Sequence, residues 1–327
     1  MPARAFDLRG PLLALLAFGL FSGHDVVVKF LGASYAPFQI VFFSVLLGMP
    51  LAMIMLIRDR TDGNLRPRHP WWTVLRTGAA VITGVSAFYA FSVLPLAQTY
   101  AILFAAPLMI TLLSIPILGE RVGLHRGLAV VVGLIGVLIV LRPAGGGLGL
   151  GHLAALMAAT GGAVSSIIVR RIGPAERNVV LLLYPMMANL VVMAAFLPFV
   201  YRPMPLIDFA GLAAIAGLAF VASLCVIAAY KRAEAVIIAP MQYSQIIWAT
   251  LFGFLFFDET PDAATALGAA VIIASGLYIL FREGRRNVSD NQPVLRTRTR
   301  TDTGTIPRVS TMENTEHPHS GPGTGTR

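Results

Sequence analysis

Residues 95–143 read PLAQTYAILFAAPLMITLLSIPILGERVGLHRGLAVVVGLIGVLIVLRP, and residues 239–280 read APMQYSQIIWATLFGFLFFDETPDAATALGAAVIIASGLYIL. Each is an apolar run that closes on a short acidic turn, Gly119-Glu120 in the first and Asp258-Glu259 in the second. Each then resumes as another apolar run with spaced glycines, Gly127, Gly133 and Gly136 against Gly268 and Gly276. The two glutamates lie 139 positions apart. Upstream, Tyr89 leads through Pro95, Leu96 and Ala97 to Pro107, as Tyr230 leads through Ala233 and Ala235 to Tyr243. The chain reads as a duplication.

The runs are too apolar for a protein in water. Of 327 residues, 56% are apolar and 13% charged, whereas a soluble domain carries about 25% charged residues. A hydrocarbon core of ~30 Å needs about 20 apolar helical residues. Ten stretches qualify: 11–31, 37–57, 74–94, 97–117, 124–141, 151–169, 179–199, 207–229, 235–257 and 264–281. Barrel strands would alternate polar and apolar residues; these runs do not. In lipid a helix satisfies its backbone within one segment. The expected fold is therefore an all-α integral membrane protein of ten helices. The first run is read as a retained helix, because it continues through Val26, Val27 and Val28 with no small-residue cleavage site. The single Cys excludes a disulfide framework and Cys-rich metal sites.

The basic residues orient the bundle. With residues 1–10 in the cytoplasm, 14 Lys and Arg fall in cytoplasmic segments, against only Arg142 and Arg202 on the other side. An even number of crossings returns the C-terminus to the cytoplasm. The net charge of +9 thus follows a membrane pattern, and no nucleic acid is expected as a partner. Residues 284–327 are polar, with an Arg296, Arg298, Arg300 run, and are expected to be a disordered cytoplasmic tail. The Gly-rich segment 143–150 lacks the ending of a phosphate loop and reads as a linker between units 11–142 and 151–283.

Five crossings per unit force the second unit into the bilayer upside down relative to the first. Inverted repeats are the build of secondary transporters, which hold their substrate near the midplane between the repeats. The two quoted strings resemble EamA-type members of the drug/metabolite transporter superfamily over about residues 10–283. The second unit departs from that pattern with Asp258 in place of glycine, and without a proline near Ile246 to match Pro107. Asp25, Lys29 and the Gln-Tyr-Ser-Gln-Ile-Ile-Trp run at 242–248 resemble the branch that contains bacterial riboflavin importers and S-adenosylmethionine uptake carriers. The resemblance implies ten helices, two inverted five-helix repeats and metabolite transport across the bacterial inner membrane. It does not fix the substrate.

Polar residues within the spans are the candidate pathway. An ionised Asp or Lys at mid-bilayer costs about 2.5–3.5 kcal/mol. Asp25 and Lys29 share a helix face and are expected to neutralise each other; they line a cavity or tie helices together. His24, turned ~100° from Asp25, is a proton relay or a buried hydrogen-bonded histidine. Ser22, His24 and Asp25 should diverge too much for a hydrolytic triad. Gln242, Tyr243, Gln245 and Trp248 form a polar and aromatic stripe that either contacts substrate or bonds between helices. Pro240, just upstream, is expected to open that helix. Tyr89, Gln98 and Asn189 are further cavity candidates. Glu120 and Glu259 are expected to fix turns or cap helices. Without an ATPase motif, energy must come from a gradient, an exchange or downhill flow. No HExxH motif, Cys/His cluster or sustained polar pore face supports an intramembrane enzyme or a channel. No cofactor is expected, and a homodimer is left open. The flat ring of riboflavin suits the amides and aromatic faces of span 9. S-adenosylmethionine uptake, with Asp25 as the acid, and amino-acid or drug export are the alternatives.

Overall fold

The computed structural model describes residues 8–57, 66–120, 122–142, 148–173, 175–233 and 235–284. Most of the Gly-rich linker and the tail beyond Gly284 lie outside the described residues. Among the described residues every regular element is helical. The first unit contains α1 (Arg9–Gly32), α2 (Pro37–Ile57), α3 (Pro70–Val93), α4 (Leu96–Leu103), α5 (Ala106–Leu118) and α6 (Leu124–Leu141). The second contains α7 (Leu150–Ile172), α8 (Asn178–Val200), α9 (Leu206–Arg232), α10 (Ala235–Ile238), a 3₁₀ turn (Ala239–Tyr243), α11 (Ser244–Phe257) and α12 (Ala263–Gly284). Among the described residues eight segments are long and apolar enough to cross a bilayer, with α4 and α5 counted together. The shorter apolar part of α2 and the segment from α10 through α11 complete ten.

Two of the ten are interrupted: the run at 97–117, against the continuous helix expected there, and the run at 235–257, which opens near Pro240 as expected. The fourth crossing breaks at Phe104-Ala105, and Pro107 stands in the first turn of α5. A proline there lacks the N–H that a helix start leaves unpaired. The ninth crossing is interrupted by the 3₁₀ turn Ala239–Tyr243, with Pro240 in its first turn, before α11 resumes at Ser244. At the repeat spacing of 139 positions the 3₁₀ turn answers to residues 100–104, so the two interruptions overlap at Phe104 and Tyr243. The missing second proline therefore changes the local form of the interruption, not its place.

The duplication is also visible in the turns. Gly119 closes α5 at φ +70°, and Asp258 closes α11 at φ +55°. In both turns the glutamate N–H reaches the carbonyl six residues back, Glu120 to Ser114 at 3.2 Å and Glu259 to Gly253 at 2.9 Å. Asp258 thus occupies the left-handed conformation that its glycine counterpart adopts without steric cost.

Helices pair across the duplication. α1 packs along α9, and its counterpart α7 packs along α3; α6 meets α12, and α2 meets α8. Small residues permit these approaches. A Cβ at Gly10 would lie 2.8 Å from that of Ala233, and one at Gly151 would lie 2.6 Å from Val93 Cγ2. At the α6–α12 crossing a Cβ on Gly136 would sit 3.0 Å from the Gly268 carbonyl, and one on Gly268 would sit 2.7 Å from that of Gly136. Gly133, Gly136, Gly268 and Gly276 of the quoted strings are therefore packing positions, whereas a Cβ at Gly127 would meet nothing within 4 Å. By these pairings α3, α4, α5 and α7 form one body and α1, α9, α10 and α11 another, and the two pack directly on each other through α1 on α3 and α4 on α11.

Candidate functional site

Where these bodies meet, three buried polar side chains from both repeats converge on the hydroxyl of a fourth. Tyr100, on α4, donates a short hydrogen bond to Asp25 Oδ2 on α1. Its hydroxyl accepts from Gln245 Nε2 on α11 at 3.2 Å and from Ser22 Oγ at 3.4 Å. Asp25 Oδ1 lies 2.8 Å from His24 Nδ1. Ser22, Asp25, Tyr100 and Gln245 are each no more than 2% exposed. Two aromatic walls enclose the group: Phe88 meets the His24 ring edge-on at 5.9 Å, and Phe91 meets Tyr100 at 5.2 Å. Just beneath, Phe104 and Tyr243 touch edge to face at 5.0 Å, so the two helix breaks contact each other directly.

The arrangement follows from the helix interruptions. A continuous α4–α5 or α10–α11 would spend its backbone groups internally. Breaking both at the same repeat position leaves polar backbone at mid-membrane, which is tolerated where it is buried in protein or lines a cavity. A carboxylate in this setting is stabilised by donors, each charge-assisted bond contributing about 1.5–3 kcal/mol. Tyr100 and His24 supply them to Asp25.

The pairing of Asp25 with Lys29 is corrected. Lys29 Nζ lies 2.7 Å from Glu259 Oε1, bonds the Leu94 carbonyl at 2.5 Å, and stands 5.2 Å over the Phe257 ring. The reason is reach: Glu259 comes from the other repeat straight onto the end of α1, while Asp25 is taken by Tyr100. Glu259 Oε2 accepts the Leu96 N–H at 3.0 Å, so the expected capping role holds, directed at the start of α4. The expectation that His24 and Asp25 diverge is also corrected, since their side chains bend together around the helix. Glu120 has an equivalent partner in Arg170 of α7.

The other candidates are dispersed. Gln245 joins the cluster. Trp248 stacks on Phe252 with centroids 5.9 Å apart, and its ring lies 3.2 Å from where a Cβ on Gly19 would stand. Tyr243 is buried with its hydroxyl against Gly276; the Gln242 amide approaches that hydroxyl without reaching hydrogen-bond geometry. Gln98 Nε2 meets His152 Nε2 of α7 at 3.1 Å, away from Asp25. Asn189 is fully buried on α8 and bonds its own helix at Pro185. Tyr89 is half-buried on α3. Tyr100 and Ser22 complete the cluster, and neither stood out in the sequence as a site residue. Among the described residues no three His, Cys, Asp or Glu side chains gather as a metal site requires.

Comparison with known proteins agrees with this architecture. The model of the EamA-like transporter family matches residues 8–142 and again residues 145–281. A riboflavin transporter of Rhizobium johnstonii is 30% identical over 298 residues, covering 87% of this chain and 94% of that protein. An S-adenosylmethionine uptake transporter of Rickettsia bellii is 24% identical over 270 residues, covering 82% of this chain and 92% of its own. The pseudopaline exporter CntI of Pseudomonas aeruginosa is 26% identical over 268 residues, 81% of this chain and 94% of that one. A solved crystal structure shares the fold with a TM-score of 0.58 at 21% identity, over 85% of this chain and 98% of that chain. With both halves matched by one family model and the duplicated, doubly broken helix bundle in place, the chain belongs to the EamA-like transporter family.

Proposed function

We propose that this chain is a secondary carrier of the bacterial inner membrane, with both termini cytoplasmic, that moves a small metabolite bearing a flat heteroaromatic ring. Riboflavin is the first substrate to test. The observation that carries the reading is the Ser22, Asp25, Tyr100 and Gln245 cluster, which is buried, drawn from both repeats, and set against the two helix breaks. Such a group changes its surroundings whenever the two bodies rock. Gln245 and Tyr100 offer hydrogen bonds to a ring edge, and Trp248 is a half-buried flat face near the Gly19 side of α1. A second reading, S-adenosylmethionine uptake, is favoured by one observation: the charge at the cluster is a carboxylate, which suits a cationic substrate.

Counterflow in proteoliposomes against riboflavin, S-adenosylmethionine, amino acids and cationic drugs tests both. Riboflavin exchange is expected, and Asp25→Asn is expected to reduce it while leaving the amount of inserted protein unchanged. Cation exchange abolished by Asp25→Asn, without riboflavin exchange, selects the second reading. Full activity of Asp25→Asn on every substrate transported removes Asp25 from the site, and no exchange of any solute sinks the carrier reading.

A further inference from the structure

The two ends of the bundle are built from the same parts but are not in the same state. Gly10, Lys29 and Gly32 of α1 correspond, 141 positions on, to Gly151, Arg170 and Gly173 of α7. Glu259 corresponds to Glu120. Each end therefore carries one ion pair between the first helix of one repeat and the fourth-helix turn of the other, Lys29–Glu259 and Arg170–Glu120. Each pair lies within a single body.

The difference lies in what the pairs do beyond themselves. At the Lys29 end the pair reaches across to the other body. Lys29 bonds the Leu94 carbonyl, and Glu259 Oε2 accepts the Leu96 N–H. Beside it α1 closes on α3, so tightly that a Cβ at Gly32 would collide with Ser92. At the Arg170 end the counterpart main chain is that of Ala233 and Ala235, 139 positions on from Leu94 and Leu96. Among the described residues no such bond is made there. Glu120 Oε2 and Arg170 Nη1 are buried without a hydrogen-bond partner. The three atoms nearest a Cβ at Gly173 all belong to Val169 of its own helix, and α7 and α9 do not pack together as α1 and α3 do. Buried polar atoms left unpaired cost about 1–3 kcal/mol each, so a conformation that pairs them is within reach.

We propose that the two ion pairs are alternating clasps: each grips the main chain opening the other body's fourth crossing, and only one grip is held at a time. The structure is the state with the Lys29 clasp shut and the Arg170 clasp released. Closing the second brings Glu120 Oε2 to the Ala235 N–H and Arg170 Nη1 to the Ala233 carbonyl, and draws Gly173 onto Lys231 as Gly32 lies on Ser92. Lys29, Glu259, Arg170 and Glu120 are thus positioning residues that set which compartment reaches the site. The proposal rests on the carrier reading, but its test needs no substrate.

The test is disulfide formation between Gly173→Cys and Lys231→Cys in the full chain, with Cys225→Ala, reconstituted in liposomes. Glu259→Gln is expected to speed cross-linking about tenfold, the equivalent of one charge-assisted bond lost from the competing state. Glu120→Gln is expected to slow it by a similar factor. The charge exchange Lys29→Glu with Glu259→Lys restores the ion pair but presents the wrong groups to Leu94 and Leu96. It is expected to cross-link as fast as Glu259→Gln, and it keeps the test open should Glu259→Gln fail to fold. Unchanged rates in Glu259→Gln and Glu120→Gln, changes of the same sign in both, or wild-type behaviour of the exchanged pair would each overturn the proposal. A failure of counterflow with cross-linking shifted as expected would strike the carrier reading alone.

Discussion

Replacing Tyr100 by Phe removes one oxygen and no carbon. The ring keeps its contacts with Phe91 at 5.2 Å and Phe104 at 6.0 Å, so the change isolates the hydroxyl. Three hydrogen bonds go with it: the donation to Asp25 and the acceptances from Ser22 and Gln245. The first is charge-assisted, and such bonds contribute about 1.5–3 kcal/mol. The neutral pair follow the average of interhelical bonds in membranes, about 0.6 kcal/mol each. Together the expected destabilisation is about 3–4 kcal/mol, large for a single atom. Denaturing-detergent unfolding of the purified protein in mixed micelles reads it, with solute exchange in liposomes alongside. Tyr243→Phe is the matched control. That hydroxyl is equally buried but lacks a partner in hydrogen-bond geometry, so its removal is expected to change stability by less than about 1 kcal/mol. If the two substitutions cost the same, or if Tyr100→Phe costs under about 1 kcal/mol and transports normally, then Tyr100 is not the centre of the cluster.

Asp258→Gly is expected to stabilise the protein by about 0.5–1 kcal/mol, because the left-handed φ of +55° no longer costs a side chain; a fall in melting temperature in detergent would contradict this. Gly276→Ala is expected to destabilise by about 1–3 kcal/mol, since a Cβ there collides with the buried Tyr243 hydroxyl. Asp262→Ala is expected to lower the melting temperature at neutral pH by removing a cap at the start of α12, worth about 0.5–1 kcal/mol. The Thr265 backbone N–H, and after it Arg142, holds the Asp262 carboxyl below the usual carboxylate range. A depressed folded value stabilises above the ordinary titration and fades as pH falls through the folded one. The difference between Asp262→Ala and the parent protein should therefore close in strong acid, and a gap that persists there would assign the effect to packing.

The crossings and the duplication were legible because bilayer thickness and repeat spacing act on sequence directly. Continuous apolar runs admit only one economical backbone, and Gly119-Glu120 against Asp258-Glu259 marks the repeat without any structure. The break at Pro240 was equally readable, since a missing N–H acts locally. The fourth-crossing break was not foreseen as such, although Pro107 marks it. What a one-dimensional reading handles worst is the choice among long-range partners. Asp25 and Lys29, one helical turn apart, look made for each other, yet each finds a better partner on another helix: Tyr100, 75 positions away, and Glu259. Gln98 and Asn189 obey the rule that polar side chains face protein, but Gln98 bonds His152 and the Asn189 Nδ2 bonds the backbone of α8 rather than Asp25. A signal was available for the Lys29 contact. Aligning α1 on α7 sets Lys29 against Arg170, and a basic residue kept at one place in two inverted units calls for an acid at the other conserved turn.

The same alignment separates scaffold from chemistry. Residues that shape the bundle recur in both units: Gly10 and Gly151, Lys29 and Arg170, Gly32 and Gly173, Glu120 and Glu259. Residues of the buried cluster do not. Asp25 faces Ser166 in the alignment, Tyr100 faces Ala239, and Gln245 faces Ala106. A carrier needs its two end states close in energy, and near-equal contacts at the two ends supply that. It also needs one kind of solute held firmly at the centre, and a second carboxylate at Ser166 would place like charges in a site with few donors to satisfy both. On the proposed carrier reading, duplication keeps the two ends matched, while divergence at Asp25, Tyr100 and Gln245 leaves one acid and one hydroxyl hub between them. Selectivity is therefore expected to change with substitutions at Asp25, Tyr100 and Gln245, and access with substitutions at Lys29, Glu259, Arg170 and Glu120.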